Sequence, residues 1–153
     1  MALYLVQHGR SLPKDIDPDQ GLSPEGITDV ERIAAVAKGY EINVSRIEHS
    51  GKTRARNTAE IYAAALAPDG GVHERSGLKP LDDVTTFFDT VGSGDSLMLV
   101  GHLPFMARLT SYLITGSVDT PVFKFQNGGI ACIDKDPETG AWSILWTLMP
   151  RIG

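Results

Sequence analysis

The sequence predicts an α/β fold in layers, with a mainly parallel sheet and an antiparallel piece at its C-terminal end. Two apolar runs of strand length, residues 3–10 and 96–104, each stop abruptly at a Gly and a His. Segments with apolar residues at helical spacing lie between the predicted strands, an alternation typical of parallel sheets. Two further runs, joined by a turn over 136–140, predict a hairpin that adds antiparallel strands.

Local signals define the other elements in chain order. Ser23 is a favoured N-cap residue and Pro24 a favoured first helical residue, so a helix begins there, and Gly39 ends it. Apolar residues at helical or strand spacing predict the rest. Besides the two runs above, we expect strands over 44–49, 130–134 and 142–148, helices over 53–66, 83–91 and 104–114, an exposed loop over 11–21 and a turn over 92–95.

Composition and charge restrict the functional classes. With 153 residues, 42% of them apolar, the chain has the size of a single domain over 1–153 with a substantial core. A net charge of −5 does not favour a nucleic-acid partner, so a local cationic cluster must attract any anionic substrate. No apolar stretch has the ~18–20 residues of a membrane span, and the first residues do not resemble a signal peptide. We therefore expect a cytoplasmic protein without a membrane partner, whose single cysteine, Cys132, is a buried thiol.

His8 is the first candidate for chemistry. It follows an apolar strand, and Gly9 after it lets the backbone turn and a ligand approach closely. A neutral imidazole, favoured by a free pKa near ~6.5, can attack phosphorus and split one displacement into two easier steps. The alternative, common for a lone histidine, is a structural or surface role.

Two further residues could bind a phosphoryl group beside His8. His102 also follows an apolar strand, so it could donate to phosphoryl oxygens, or it could cap the helix that starts near Pro104. Arg54 lies where a strand gives way to a helix, so its guanidinium and nearby backbone N–H groups could face one anion. A solvated side chain is the alternative for Arg54, and we interpret Arg56 as a surface residue.

The ordered set of motifs resembles the histidine phosphatase superfamily, the phosphoglycerate-mutase-like group, over nearly the whole chain. Within that group the sequence is most similar to the small phosphohistidine phosphatases of SixA type. The motifs that carry the resemblance are His8-Gly9, Leu22-Ser23-Pro24-Glu25-Gly26, the block Ser50…Arg54-Ala55…Thr58-Ala59, Val100-Gly101-His102-Leu103-Pro104 and the closing hairpin that ends near Trp146 and Pro150.

This resemblance implies a three-layer α/β/α sandwich, phosphoglycerate-mutase-like, in which His8 is the phosphorylated nucleophile. It implies that Arg54 and His102 bind and neutralise the phosphoryl group beside Gly9. Neither a metal ion nor another cofactor is expected, because cationic side chains would neutralise the phosphoryl charge that Mg²⁺ neutralises at many other phosphoryl-transfer sites. The expected partner is a phosphorylated protein carrying phosphohistidine, or a small phosphorylated substrate.

The sequence departs from the family pattern just before the nucleophile. Gln7 stands where the family has Arg, and a neutral amide is a weaker partner for phosphate. Arg10, Lys14 or Lys52 could supply replacement charge. Gln7 and Arg10 are therefore both candidates for substrate binding.

The second departure concerns the general acid. Larger family members supply a Glu between the positions of Arg54 and His102, where this chain offers Asp82 and Asp83. An Asp pair at a helix start is otherwise a cap. An imidazole leaves phosphorus more easily than an alkoxide and can be protonated beforehand. A site whose general acid is weak or absent therefore fits a phosphorus–nitrogen substrate better than a phosphorus–oxygen one.

Three functions follow as hypotheses. The leading hypothesis is a metal-independent phosphatase that removes the phosphoryl group of protein phosphohistidine through phospho-His8. The second is a phosphatase for a small phosphomonoester. The third is a pseudoenzyme that binds phosphate or a phosphoprotein without turnover, because Gln7 replaces the arginine.

Overall fold

A computed structural model describes residues 2–91 and 96–152, so the turn predicted over 92–95 lies outside the described residues. The helices are α1 (Pro24–Gly39), α2 (Thr53–Leu66), α3 (Val84–Phe88) and α4 (Phe105–Thr115). The strands are β1 (Ala2–Gln7), β2 (Arg46–His49), β3 (Val72–Glu74), β4 (Leu97–Gly101), β5 (Ile130–Lys135) and β6 (Trp142–Leu148). They form one sheet in the order β3-β2-β4-β1-β5-β6.

Strand β1 lies between a parallel and an antiparallel neighbour. It pairs in parallel with β4, and β2 and β3 continue the parallel part, whereas β5 and β6 add the antiparallel part. The predicted mainly parallel sheet with a C-terminal antiparallel hairpin is confirmed. Gln7 pairs with Gly101, so β1 and β4 end at the same edge. The next residues, His8 and His102, therefore leave the sheet side by side.

Helices cover both faces of the sheet, which makes the three layers that the resemblance implies. Along β1, Tyr4 and Val6 pack with α1 and α2, whereas Leu3 and Leu5 pack on the opposite face with α3 and α4. Each fully buried aliphatic side chain contributes roughly 1.5–3 kcal/mol relative to exposure. Both faces of β1 are thus held by apolar contacts, and the strand end that carries His8 is fixed.

The start of α1 fits tightly against the loop after His8. Ser23 is the predicted N-cap, and its Oγ accepts from the N–H of Gly26 at 3.0 Å. The backbone N–H of Ser23 donates to the carbonyl oxygen of Arg10 at 2.9 Å. A Cβ on Gly26 would collide with that same carbonyl. Only glycine therefore allows the first turn of α1 to approach the loop this closely.

Several boundaries differ from the sequence-based expectation. The strand expected over 44–49 begins at Arg46, and α4 begins one residue later than expected, after Pro104. The helix expected over 83–91 is shorter, because Asp83 is its N-cap and Thr90 and Val91 continue in turns. Strand β3 was not predicted, since three residues are too few for an alternating pattern to be visible.

The hairpin at the end of the chain contains a β-bulge. The register between β5 and β6 shifts between Cys132 and Ile133, which pair with Trp146 and Ile144. Leu145 is the extra residue, and it is 58% exposed. Ile144 packs in the core on one face of the sheet and Trp146 in the core on the other. Within 2–91 and 96–152, no helix has the length and apolar character needed to cross a membrane.

Candidate active site

The two histidines that follow β1 and β4 lie against each other. The backbone N–H of His8 donates to the carbonyl of Gly101 at 2.9 Å, which continues the strand pairing up to the site. The ring centroids of His8 and His102 are 4.9 Å apart. One phosphoryl group can reach both rings across such a separation.

The His8 ring is oriented by its own loop. Its Nδ1 lies 2.7 Å from the carbonyl oxygen of Gly9, and a carbonyl only accepts, so Nδ1 carries the hydrogen. Nε2 therefore keeps its lone pair. Two more bonds hold the loop: Asn127 Nδ2 donates to the carbonyl of His8 at 2.9 Å, and the N–H of Gly9 donates to Thr58 Oγ1 at 2.9 Å. Thr58 in turn donates to the carbonyl of Arg54 at 2.8 Å, which ties the loop to α2.

The environment keeps His8 uncharged. Burial, together with the positive charge of Arg54, lowers the pKa of His8 to about 4, and the bond to the Gly9 carbonyl opposes this only in part. At neutral pH the imidazole is therefore neutral, and Nε2 is available as a nucleophile.

His102 is the more deeply buried ring, with 1% of its surface exposed. Its Nε2 lies 2.6 Å from Ser50 Oγ, which also accepts from the N–H of Lys52 at 3.3 Å. When the Ser50 hydroxyl donates to Nε2, the proton of the neutral ring lies on Nδ1. Nδ1 is buried and has no hydrogen-bond partner in the described part of the chain. A buried donor without a partner costs about 1–3 kcal/mol, which a bound acceptor would recover.

Burial is also the main reason that the pKa of His102 falls to about 3, followed by repulsion from His8 and Arg54. Lys52 adds a smaller contribution in the same direction. The two cationic side chains near the paired rings are thus Arg54 and Lys52. An anion bound beside the rings would be stabilised by both of these charges.

Arg54 supplies the main positive charge. It lies half-buried in the first turn of α2, and burial lowers its pKa. Among residues 2–91 and 96–152 its guanidinium has no hydrogen-bond or ion-pair partner. Lys52 is the N-cap residue of α2 and makes no side-chain cap, so the helix end also presents backbone N–H groups. As far as the described residues show, the site thus combines an unpaired guanidinium with a helix N-terminus that has no side-chain cap.

Gln7, the residue that replaces the family's arginine, is 9% exposed at the end of β1. Its backbone carbonyl accepts from Gly128 at 2.8 Å, and its side-chain Oε1 is buried with no partner in the described residues. The role of Gln7 in substrate binding stays a prediction.

Arg10 does not present a free guanidinium to the histidines. It donates to Glu25 at 3.0 Å and to Asp29 at 3.4 Å, both on α1. Its charge is therefore partly compensated, and its contact with substrate stays a prediction. Lys14 is exposed in the loop over 11–21.

The two candidate acids hold backbone turns. Asp82 accepts from the N–H of Lys79 at 2.8 Å. Asp83 accepts from the hydroxyl and N–H of Thr85, at 2.7 and 2.9 Å, and from the N–H of Thr86; these bonds lower its pKa. The capping alternative is thus what the structure shows for Asp83, and a role in proton transfer stays a prediction for both.

Three positioning residues, Ser50, Thr58 and Asn127, were given no role from the sequence, although Ser50 and Thr58 lie in the motif block that carries the resemblance. Ser50 directly follows β2, at the same sheet edge as the histidines. The reasoning that placed His8 and His102 at the ends of strands could therefore have identified it. Thr58 lies one turn after Arg54 on α2. Asn127 lies in a loop before β5 without any local motif, and no sequence signal identifies it. Within the described ranges, no group of three or more His, Cys, Asp or Glu gathers as metal ligands would.

Comparisons with known proteins agree with this fold. No family model matches the sequence, and no curated protein matches it. The solved structure of the protein histidine phosphatase SixA complexed with tungstate superposes with a TM-score of 0.80 at 24% identity, covering 98% of this chain and 97% of that one. Phosphoserine phosphatase from Entamoeba histolytica in complex with 3-phosphoglyceric acid gives a TM-score of 0.70 at 18% identity, over 95% of each chain. The chain therefore has the fold of the histidine phosphatases, with SixA among its structural neighbours, as its motifs indicated.

Proposed function

We propose that the protein is a phosphatase that hydrolyses protein phosphohistidine through a covalent phospho-His8 intermediate, without a metal ion. The observation that carries the proposal is the His8 ring, whose Nδ1–H is held by Gly9 and whose Nε2 is free. Arg54, whose guanidinium has no partner among the described residues, acts electrostatically on both rings, and the Nδ1 of His102 is buried without a partner in the same part of the chain. Tungstate, the ligand of the SixA structure, is an oxyanion like phosphate, which supports an anion site in this fold.

In the first step, Nε2 of His8 attacks phosphorus, and the bond from phosphorus to the leaving imidazole nitrogen breaks. The leaving nitrogen keeps the bonding electron pair and takes a proton from solvent, so no protein acid is required. Arg54 and the Nδ1–H of His102 bind the non-bridging oxygens and stabilise their charge. His8 becomes a phosphorylated imidazolium whose Nδ1–H still donates to Gly9.

In the second step, a water oxygen attacks phosphorus and the Nε2–phosphorus bond breaks. The electron pair returns to His8, and phosphate leaves as dihydrogen phosphate with both water protons. The His8 ring is neutral again, as its lowered pKa favours. The Gly9 carbonyl holds the same ring hydrogen through both steps, so the protein starts each cycle in the reactive tautomer.

Labelling tests this proposal directly. A protein labelled with radioactive phosphate on histidine should pass an acid-labile label to the wild type and none to His8→Ala. His73→Ala is the matched control, because His73 is an exposed histidine whose ring bonds the carbonyl of Gly70. Label on the His8→Ala variant, or none on the wild type, would reject covalent catalysis through His8.

A small phosphomonoester is the second candidate substrate, supported by the phosphoserine phosphatase among the structural neighbours. An alkoxide leaving group needs a proton donor, so Asp82→Ala and Asp83→Ala should then slow oxygen esters more than phosphohistidine. A binder without turnover is the third candidate, supported by the neutral Gln7. It would bind phosphate but acquire no label.

A further inference from the structure

A second polar pocket adjoins the candidate site on the side of the C-terminal segment. It has a volume of about 370 Å³, and its polar lining consists of Arg10, Asp29, Lys124, Gln126, Asn127 and Arg151; we call it the basic pocket. Arg10 lies two residues after His8, and Asn127 donates to the carbonyl of His8. Any group bound in the basic pocket therefore lies beside the backbone of the nucleophile.

The wall of the basic pocket is built around a buried carboxylate. Asp29 is 7% exposed and accepts from Arg10, Arg32 and Arg151, at 3.4, 3.4 and 3.1 Å. Arg10 also pairs with Glu25. These bonds hold guanidinium groups in place before any ligand arrives, which reduces the entropy cost of binding.

The C-terminal segment is fixed by backbone contacts as well. Gln126 donates to the carbonyl of Arg151 and accepts from its N–H, both at 3.0 Å. Arg32 donates to the carbonyl of Pro150 at 2.6 Å. Arg151 is thus fixed twice, by the bonds of its backbone to Gln126 and by the bond of its side chain to Asp29.

The local charge of the basic pocket is opposite to that of the chain. The lining holds three cationic side chains, Arg10, Lys124 and Arg151, and one carboxylate, Asp29, whereas the whole chain carries −5. Lys124 is exposed, and its ammonium has no ion-pair partner in the described ranges. An excess of positive charge in a concave site selects and attracts an anionic group.

We propose that the basic pocket binds a carboxylate of the substrate phosphoprotein, supplied by an acidic residue that flanks the phosphohistidine. This proposal rests on the proposed function. His8 would react with the phosphoryl group while Lys124 and Arg151 bind the neighbouring side chain. The substrate class is then a phosphohistidine protein with an acidic residue next to the modified histidine.

Kinetics on paired peptides test this assignment. Glu or Gln is placed in turn at each position flanking the phosphohistidine of one peptide. For the wild type, at least one Glu peptide should have a kcat/KM about three- to tenfold above its Gln partner, and added salt should reduce this ratio. Lys124→Gln should bring the ratio close to one. Lys135→Gln is the matched control, an exposed lysine at the opposite end of β5, and should keep the wild-type ratio.

A binding series separates failure of this proposal from failure of the proposed function. Methylphosphonate is compared by NMR titration with phosphonocarboxylates of increasing chain length. One member should bind several-fold more tightly than methylphosphonate to the wild type, and Lys124→Gln and Arg151→Gln should remove the gain. The proposed carboxylate site would be overturned if the Glu and Gln peptides had equal kcat/KM at every flanking position. It would also be overturned if the affinity gain of the phosphonocarboxylate persisted in both Lys124→Gln and Arg151→Gln. Absence of peptide turnover with the gain intact would reject only the phosphatase activity.

Discussion

Replacing Thr58 by valine should weaken the loop that carries His8 and Gly9 more than it weakens the helix that carries Thr58. The Thr58 hydroxyl accepts from Gly9 N–H and donates to the Arg54 carbonyl, in a fully buried position. Valine has nearly the same shape but cannot accept. The N–H of Gly9 is then buried without a partner, which costs about 1–3 kcal/mol. The Arg54 carbonyl keeps its backbone partner within α2.

Thr110→Val is the matched control for this substitution. Thr110 is also fully buried, and its hydroxyl donates to the carbonyl four residues earlier at 2.8 Å, the same distance as for Thr58. Its hydroxyl accepts from no group in the described part of the chain. The difference between the two variants therefore isolates the bond to Gly9.

Unfolding and turnover should both respond to the loss of that bond. Thermal denaturation should give Thr58→Val a lower melting temperature than Thr110→Val. In a chain of this length, each kcal/mol of lost stability lowers the melting temperature by about 2–4 °C. Turnover of phosphohistidine should fall by about tenfold in Thr58→Val alone, because Gly9 also orients His8 and small misplacements slow reactions steeply. Equal loss of stability and activity in the two variants would refute the assignment of Thr58 to the loop.

The other predictions concern the phosphoryl site. His8→Ala should abolish turnover and cost within about 1 kcal/mol of stability, measured by label transfer and chemical denaturation. Gln7→Arg should tighten phosphate binding and raise turnover by about one or two powers of ten, because a charge-assisted bond replaces a neutral one. The free energy of unfolding should decrease as pH falls from about 6.5 towards 4, since the unfolded histidines bind protons there whereas buried His8, with its pKa near 4, and His102 do not.

Each of these has a clear contrary outcome. Wild-type turnover in His8→Ala would exclude His8 as the nucleophile. Unchanged phosphate affinity in both Gln7→Arg and Arg10→Ala would place positions 7 and 10 outside the site. A free energy of unfolding that stays constant from pH 6.5 to 4 in the wild type, or decreases equally in a His8→Ala/His102→Ala double variant, would show that the two rings are not protected from protonation.

The pairing of the two histidines could be predicted because it depends on local sequence signals. Each histidine follows a buried strand, and parallel neighbouring strands end at one edge, so proximity of His8 and His102 follows from two short motifs. The bounds of α2 were equally predictable, since apolar residues recur over its whole length.

Long-range polar contacts were not predictable in this way. Asn127 reaches the carbonyl of His8 across 119 residues, and no local pattern indicates which loop amide will do so. The ion pairs of Arg10 with Glu25 and Asp29 were likewise not expected, and they form because the start of α1 packs against the loop after His8; contact of Arg10 with the phosphoryl group stays a prediction. Charge pairing of this kind depends on the packing of whole elements, which composition and periodicity do not encode.

The β-bulge at Leu145 has a consequence for behaviour at high concentration. Strands β3 and β6 are the two edges of the sheet, and an exposed edge offers unpaired backbone groups to which a foreign strand can add. β3 has only three residues, too short a template for such an addition. β6 is longer, but its extra residue breaks the regular row of donors and acceptors and increases the local twist. Both edges therefore resist edge-to-edge aggregation, one by its length and the other by its bulge.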